Sequence, residues 1–337
     1  MTVRHSLRLA LLACAASLVF APAARAADSQ TLTIYNGQDE GPVEAAAAAF
    51  EKKTGIKVEM RKGGSPAFAN QIIQEGARSP ADVFYSEYTS PLAILKDKNL
   101  LAEVPAETLA AIPARFNDAG KMWLGVTARN QAMLYNKTMI SEDKLPESVL
   151  DFAKPEWSGK VAFNPKSAAF LEEVTAVIQA KGEPTAKAWL TALKTGAKAY
   201  PSNTAIVVAV DRGEVETAIV GDNYWFAVAE ERGADKMNAR VHYVGHKDPG
   251  SLVTVSAAAI LKSAPHPDAA QKFLAFLASA DGQTAVAAAA ADYPLRPGIV
   301  SPYKLTPLAD LDMSPITPSD IGTAHVALEL ERSVGLN

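Results

Sequence analysis

The apolar residues of this chain recur with two periods, and the alternation between those periods sets out the elements. Thr31 to Tyr35 exchanges Thr with Leu and Ile at every second position, which predicts a strand. Pro42 to Lys53 is alanine-rich, with proline at its start and Gly55 just past its end, and predicts a helix. Ile56 to Arg61 alternates again. Gly63-Gly64-Ser65 reads as a turn, with Ser65 as N-cap and Pro66 opening a helix to about Gly76. Ser79-Pro80 interrupts the chain; Asp82 to Tyr85 then predicts a strand and Ser90 to Lys98 a helix. A β-α-β-α-β order with short links specifies a parallel sheet with right-handed crossovers.

Trp123 to Arg129 and Ala132 to Tyr135 predict two strands separated by Asn130-Gln131, where the chain is expected to cross into a second lobe. There, Lys160 to Phe163 predicts a strand, Ala168 to Lys181 and Pro184 to Leu193 predict helices, and Val207 to Val210 belongs to a helix ending at Gly213. The apolar run Thr217 to Val220 reads as a buried strand. It feeds Gly221-Asp222-Asn223-Tyr224-Trp225-Phe226, and Ala227 to Arg232 reads as a short helix closed by Gly233. Val241 to Val244 and Leu252 to Ile260 predict strands, the second leading back to the first lobe. Pro267 to Leu277, Ala285 to Ala291 and Thr323 to Arg332 predict helices. No repeat, charge block or low-complexity linker divides the chain. The expected fold class is therefore α/β, a hinged clamshell of two lobes, each a mainly parallel sheet flanked by helices. The division expected is 27–129 with 254–304, and 130–253 with 305–337.

Composition changes this picture at one end only. The 337 residues are 48% hydrophobic and 21% charged, enough for two separate cores. The net charge of −4 gives no reason to expect nucleic-acid binding. Residues 1–26 read as a secretory signal: Arg4, His5 and Arg8 are basic, Leu9 to Phe20 is apolar, and Ala24-Arg25-Ala26 is a cleavage site. Cleavage after Ala26 removes three arginines and no acid, leaving −7. It also removes Cys14, the only cysteine, so the exported chain relies on its core rather than on disulfides. Leu11-Leu12-Ala13-Cys14 loosely resembles a lipoprotein cleavage box, the alternative to a free exported chain.

Catalytic patterns are scarce. The chain has no glycine-rich phosphate loop, no Gly-x-Ser-x-Gly and no His-Glu-x-x-His. His242, His246, His266 and His325 lack metal spacing and read as structural or surface residues. The oxygen-bearing side chains are more informative. Asp39, Glu87 and Tyr224 each follow a separate predicted strand, where ligands of open α/β sheets lie. Taken singly, each acid reads as a solvated loop residue and the tyrosine as packing. Together they form a hard donor set suited to a hard cation. Two carboxylates and a phenolate would balance Fe(III).

Tyr35-Asn36-Gly37-Gln38, Ala81-Asp82-Val83-Phe84-Tyr85, Phe170-Leu171-Glu172, Asp248-Pro249-Gly250 and Tyr293-Pro294-Leu295-Arg296 carry a further likeness. Through them the chain, from about Leu32 onward, resembles the periplasmic ferric-ion-binding proteins, the substrate-binding components of iron ABC transporters. The resemblance implies a two-lobed periplasmic-binding-protein fold, type II-like, with Fe(III) as cargo in the cleft. It also implies a synergistic anion (phosphate or carbonate), delivery to an inner-membrane permease, a monomer and a periplasmic location. It places metal ligands at Asp39, Glu87 and Tyr224 and the anion at Ser167, Ala168, Ala169 and Asn203, with Arg129 and Arg296 as cleft arginines. The chain departs from the family where Asp39 replaces a histidine, Asn223 replaces the first of two adjacent tyrosines, and Tyr88 replaces a glutamine of the anion site. Tyr88 and Asp222 are the candidates to make up the missing phenolate. A relative that binds an organophosphate, phosphonate or other small oxyanion is the alternative reading, although two acids repel a bare anion. An enzyme on the same fold, such as a periplasmic hydrolase, has no residue pattern asking for it.

Overall fold

A computed structural model describes residues 31–336. The signal region and Cys14 lie outside the described residues. The strands are β1 (Thr31–Asn36), β2 (Lys57–Lys62), β3 (Val83–Ser86), β4 (Leu124–Asn136), β5 (Val161–Phe163), β6 (Lys198–Ala199), β7 (Thr217–Gly221), β8 (Ala239–His242), β9 (Val253–Ile260) and β10 (Tyr293–Pro294). The helices of the first half are α1 (Glu40–Thr54), α2 (Ser65–Glu75), α3 (Ser90–Asp97) and α4 (Ala106–Leu109). Then come α5 (Ala168–Lys181), α6 (Glu183–Gly196), α7 (Asn203–Asp211), α8 (Asp222–Arg232), α9 (Pro267–Leu277), α10 (Ala280–Ala289), α11 (Pro318–Ile321) and α12 (His325–Val334).

The sheet is mixed rather than mainly parallel. β2, β1 and β3 run parallel, as the β-α-β order requires. β9 then pairs antiparallel with both β3 and β4, because it returns from the far half of the chain. The N-terminal part of β4 lies in this first sheet. Its C-terminal part, from Gln131 to Tyr135, pairs antiparallel with β7, which continues in parallel to β5 and β6. The two strands expected on either side of Asn130-Gln131 are thus one strand of 13 residues. The polar pair does not break it because both backbone amides find acceptors while buried. Asn130 N donates to Asp222 Oδ1 at 3.1 Å and Gln131 N to the Leu252 carbonyl at 2.8 Å.

The cores follow the strand periods. Leu32, Ile34, Val83, Phe84, Val255 and Phe273 belong to one core under the first sheet. In the second half, alternate residues face opposite sides of the sheet: Val161, Phe163, Met133 and Ile219 pack into one cluster, Ala162, Leu134, Ala218 and Val220 into another. Leu311 sits in the first core, with Leu305, Leu308 and Met313 packed against it, whereas Ala327 and Leu330 of α12 join the second. The stretch from residue 305 therefore crosses the first lobe's surface before it reaches the second. Among the described residues, no helix is long and apolar enough to cross a membrane.

Two local expectations change. α8 begins at Asp222, so Asn223 and Tyr224 occupy its first turn rather than a loop. The last helix begins at His325, after Ala324 in a left-handed conformation with φ of 55°.

Candidate functional site

β1 and β3 are parallel neighbours, with Asn36 opposite Tyr85, so their carboxyl ends open on the same edge. The links that follow carry Asp39 and Glu87. Ser65 ties these links together. Its Oγ donates to the Gly37 carbonyl at 2.9 Å and accepts from the Glu87 amide at 3.0 Å. The turn thus does more than cap a helix, and the N-cap of α2 is Gly64 rather than Ser65. Asp39 itself precedes α1 and is exposed, with its amide donating to Gln38 Oε1 at 2.8 Å.

Glu87 points at Arg129, whose Nη1 lies 3.5 Å from Glu87 Oε1. The same guanidinium places Nε 3.3 Å from Asp292 Oδ2, and both of these side chains are buried. Its ring neighbour is Tyr88, with the guanidinium carbon 5.4 Å from the ring centre. Burial alone would lower the Arg129 pKa, but Asp292, Tyr88 and Glu87 outweigh it and hold the cation firmly charged. Burial raises the Glu87 carboxyl; Arg129 opposes the shift and the Asp39 charge adds to it.

Tyr224 reaches the same cluster from the second lobe. Burial raises its phenol, the Glu87 charge raises it further, Arg129 opposes, and a hydrogen bond with Asn203 steadies the phenolate. Tyr88 is raised well above an ordinary phenol by burial and by proximity to Tyr224. Asp39, Glu87, Tyr88, Arg129 and Tyr224 therefore share one electrostatic neighbourhood drawn from both lobes. Beside it, Asn203 Nδ2 donates to Ser167 Oγ at 3.3 Å, joining the N-terminal ends of α7 and α5. Ala168 and Ala169 occupy the first turn of α5, where backbone amides lack intrahelical partners and favour an anion.

Two expected residues lie elsewhere. Arg296 donates through Nη1 to the Ala278 carbonyl at 2.8 Å, at the C-terminal end of α9, so it caps a helix instead of entering the cluster. Asp222 is fully buried at the crossover. Its Oδ2 accepts from Tyr243 and Tyr293 hydroxyls, each at 2.9 Å, and Oδ1 from the Asn130 amide. Those bonds leave it no role as a ligand, and burial pushes its carboxyl up to about 6. Asn223 precedes Tyr224 in the first turn of α8, and its Oδ1 is buried without a hydrogen-bond partner. Among the histidines, His242 Nδ1 lies 2.9 Å from Glu142 and His266 Nδ1 3.2 Å from Asp82. Among the described residues, no group of three or more His, Cys, Asp and Glu side chains is placed to hold a metal ion.

The roles of Asp292 and Glu172 were not legible in the sequence. Asp292 stood one residue before the quoted Tyr293-Pro294-Leu295-Arg296 stretch, and Glu172 stood inside another, but only packing shows what they touch.

The model of the bacterial extracellular solute-binding proteins matches residues 45–310. The major ferric iron-binding protein of Neisseria meningitidis is 40% identical over 99% of this chain and 100% of its own length. The Fe(3+)-binding periplasmic protein of Serratia marcescens is 36% identical over 97% of each. The crystal structure of iron-bound HitA from Pseudomonas aeruginosa superposes with a TM-score of 0.86 at 47% identity, covering 91% of this chain and 99% of that one.

Proposed function

The chain belongs to the bacterial extracellular solute-binding protein family, and we propose that it captures Fe(III) in the cleft between its lobes for an ABC transporter. The observation that carries this reading is that Ser65 ties the links bearing Asp39 and Glu87 together, Arg129 stands against Glu87, and Tyr224 lies within reach of the charges of both acids. These three are the ligands, and they supply three negative charges to a trivalent cargo. Relatives named for ferric-iron binding along the whole chain support the same cargo. A bare organophosphate or phosphonate is disfavoured, since Asp39 and Glu87 would repel it.

A synergistic anion, phosphate or carbonate, rests on Ser167, Ala168, Ala169 and Asn203. It fills coordination positions that the protein leaves open. Arg129 balances its charge from the opposite lobe. The lobes hinge about the strands they share, near Arg129–Gln131 in β4 and Leu252–Val253 where β9 begins. The chain acts as a monomeric periplasmic binding protein rather than an enzyme, released by cleavage after Ala26, and hands the ion to an inner-membrane permease.

The test is a titration of metal-free protein with ferric citrate, with and without phosphate, followed in the visible spectrum. The expected result is a saturable phenolate-to-iron band complete at one equivalent, strengthened by phosphate. Absence of a band and of thermal stabilisation by iron would overturn the reading.

A further inference from the structure

Glu172 lies in α5, one turn beyond the Ser167–Ala169 turn and on the same helix face as Ala168 and Ala169. It is fully buried. Its Oε1 points across to the first lobe. There it accepts from the Thr89 amide at 3.2 Å and the Ser90 amide at 3.4 Å. The Thr89 hydroxyl lies 3.3 Å from the same oxygen and 3.0 Å from the Pro318 carbonyl, so it divides one proton between two acceptors. These amides open α3, whose N-terminal groups have no intrahelical acceptor and carry the positive end of the helix dipole. A carboxylate from the second lobe thus caps a helix of the first.

The place of that cap matters more than its strength. Thr89 and Ser90 directly follow Glu87 and Tyr88. The amide of Glu87 is fixed on one side by Ser65. Glu172 fixes the chain on the other side. The same α5 presents the anion turn at its N-terminal end. A rigid helix therefore sets the distance between the segment that carries Glu87 and the turn assigned to the anion.

We propose that Glu172 is a positioning residue of the cargo site, holding the 87–90 segment against α5 so that Glu87 and the anion turn meet the same ion. This rests on the Fe(III) reading above. Residues that orient metal ligands without touching the metal typically change affinity by roughly 10-fold to 100-fold when removed. Glu172→Ala removes the acceptor. Its iron affinity falls by an amount in that range, and phosphate no longer strengthens binding. Glu172→Gln keeps an acceptor oxygen for the amides and restores most of the affinity and the phosphate effect. Thr89→Val, altered from the first-lobe side, loses only the shared hydroxyl and gives a smaller loss in the same direction.

The experiment is the ferric citrate titration with and without phosphate on the wild type and these three variants, with thermal unfolding of each metal-free protein alongside. A merely structural role would lower the unfolding temperature and leave the phosphate dependence and the band position unchanged. A folded Glu172→Ala protein with wild-type affinity and phosphate dependence overturns the proposal. Where Glu172→Ala does not fold, wild-type phosphate dependence in Thr89→Val together with complete loss of it in Glu172→Gln overturns it. A wild type that takes up no iron overturns the underlying reading instead, so the two failures are distinct.

Discussion

Arg129 holds Glu87 at two points: Nη1 stands 3.5 Å from the carboxylate and Nη2 donates to the Glu87 carbonyl at 3.3 Å. The arginine belongs to the crossing strand β4 and the glutamate to the link after β3, so the cation pins a proposed ligand to the strand that both lobes share. Behind it, Asp292 Oδ2 takes the Arg129 Nε and the Thr127 hydroxyl. Removing the guanidinium strands a buried carboxylate, and the usual cost of such a break is about 3–5 kcal/mol. Arg129→Met is expected to lose stability of that order in urea unfolding. A loss below ~1 kcal/mol would mean that Asp292 does not depend on the arginine.

The Tyr224 phenol is raised by burial and by Glu87, so as the proposed ligand it would have to shed its proton when iron binds. Iron uptake through it therefore weakens as pH falls. Tyr224→Phe is expected to abolish the visible band, and a coloured Tyr224→Phe protein would assign the phenolate elsewhere. Asn223, with its unpartnered buried oxygen, stands where the resemblance implies the first of two adjacent tyrosines. Asn223→Tyr is expected to deepen the colour per bound iron and tighten binding, read in the same titration.

Gly37 has no room for a side chain. A Cβ there would lie 2.7 Å from the Ser65 backbone Cα. Since Ser65 joins the Asp39 and Glu87 links, Gly37→Ala is expected to disturb both. Overpacking of this kind costs about 1–3 kcal/mol. Calorimetry reads the stability loss, and the iron titration reads the accompanying fall in affinity. Wild-type values in both would show that the turn relaxes freely.

Glu173 is fully buried, with one oxygen accepting from Gln131 Nε2 at 2.9 Å and the other unpartnered. Burial raises its carboxyl from an ordinary 4.5 to about 8; the Gln131 bond opposes the shift and the Asp248 charge adds to it. Burial likewise pushes Glu172 up to about 7. Between 4.5 and these values the folded chain binds protons that the unfolded chain releases, so stability falls as pH rises through that window. Unfolding temperatures are expected to decline from pH 5 to about 8 and to level off by pH 9, and Glu173→Gln is expected to flatten the decline. An unchanged slope in that variant would remove Glu173 as its source.

What the sequence determined alone is local. Periods of two and of 3.6, with glycine and proline at element ends, marked out β1, α1, α2, β3 and α9 from residues next to one another. The quoted stretches, Tyr35-Asn36-Gly37-Gln38 among them, carried the family because their order along the chain is itself the signal. Tertiary structure decided what depends on partners far away in sequence. Asn130 and Gln131 looked like a break, but Asp222 and Leu252 accept from their buried backbone amides, so β4 runs on through both lobes. Arg296 looked like a cleft cation and Asp222 like a ligand, yet a helix end claims the first and three hydrogen bonds claim the second. The roles of Asp292 and Glu172 did not show in the chain, because a buried charge takes its role from the group it faces, and that group is chosen only when the two lobes are packed.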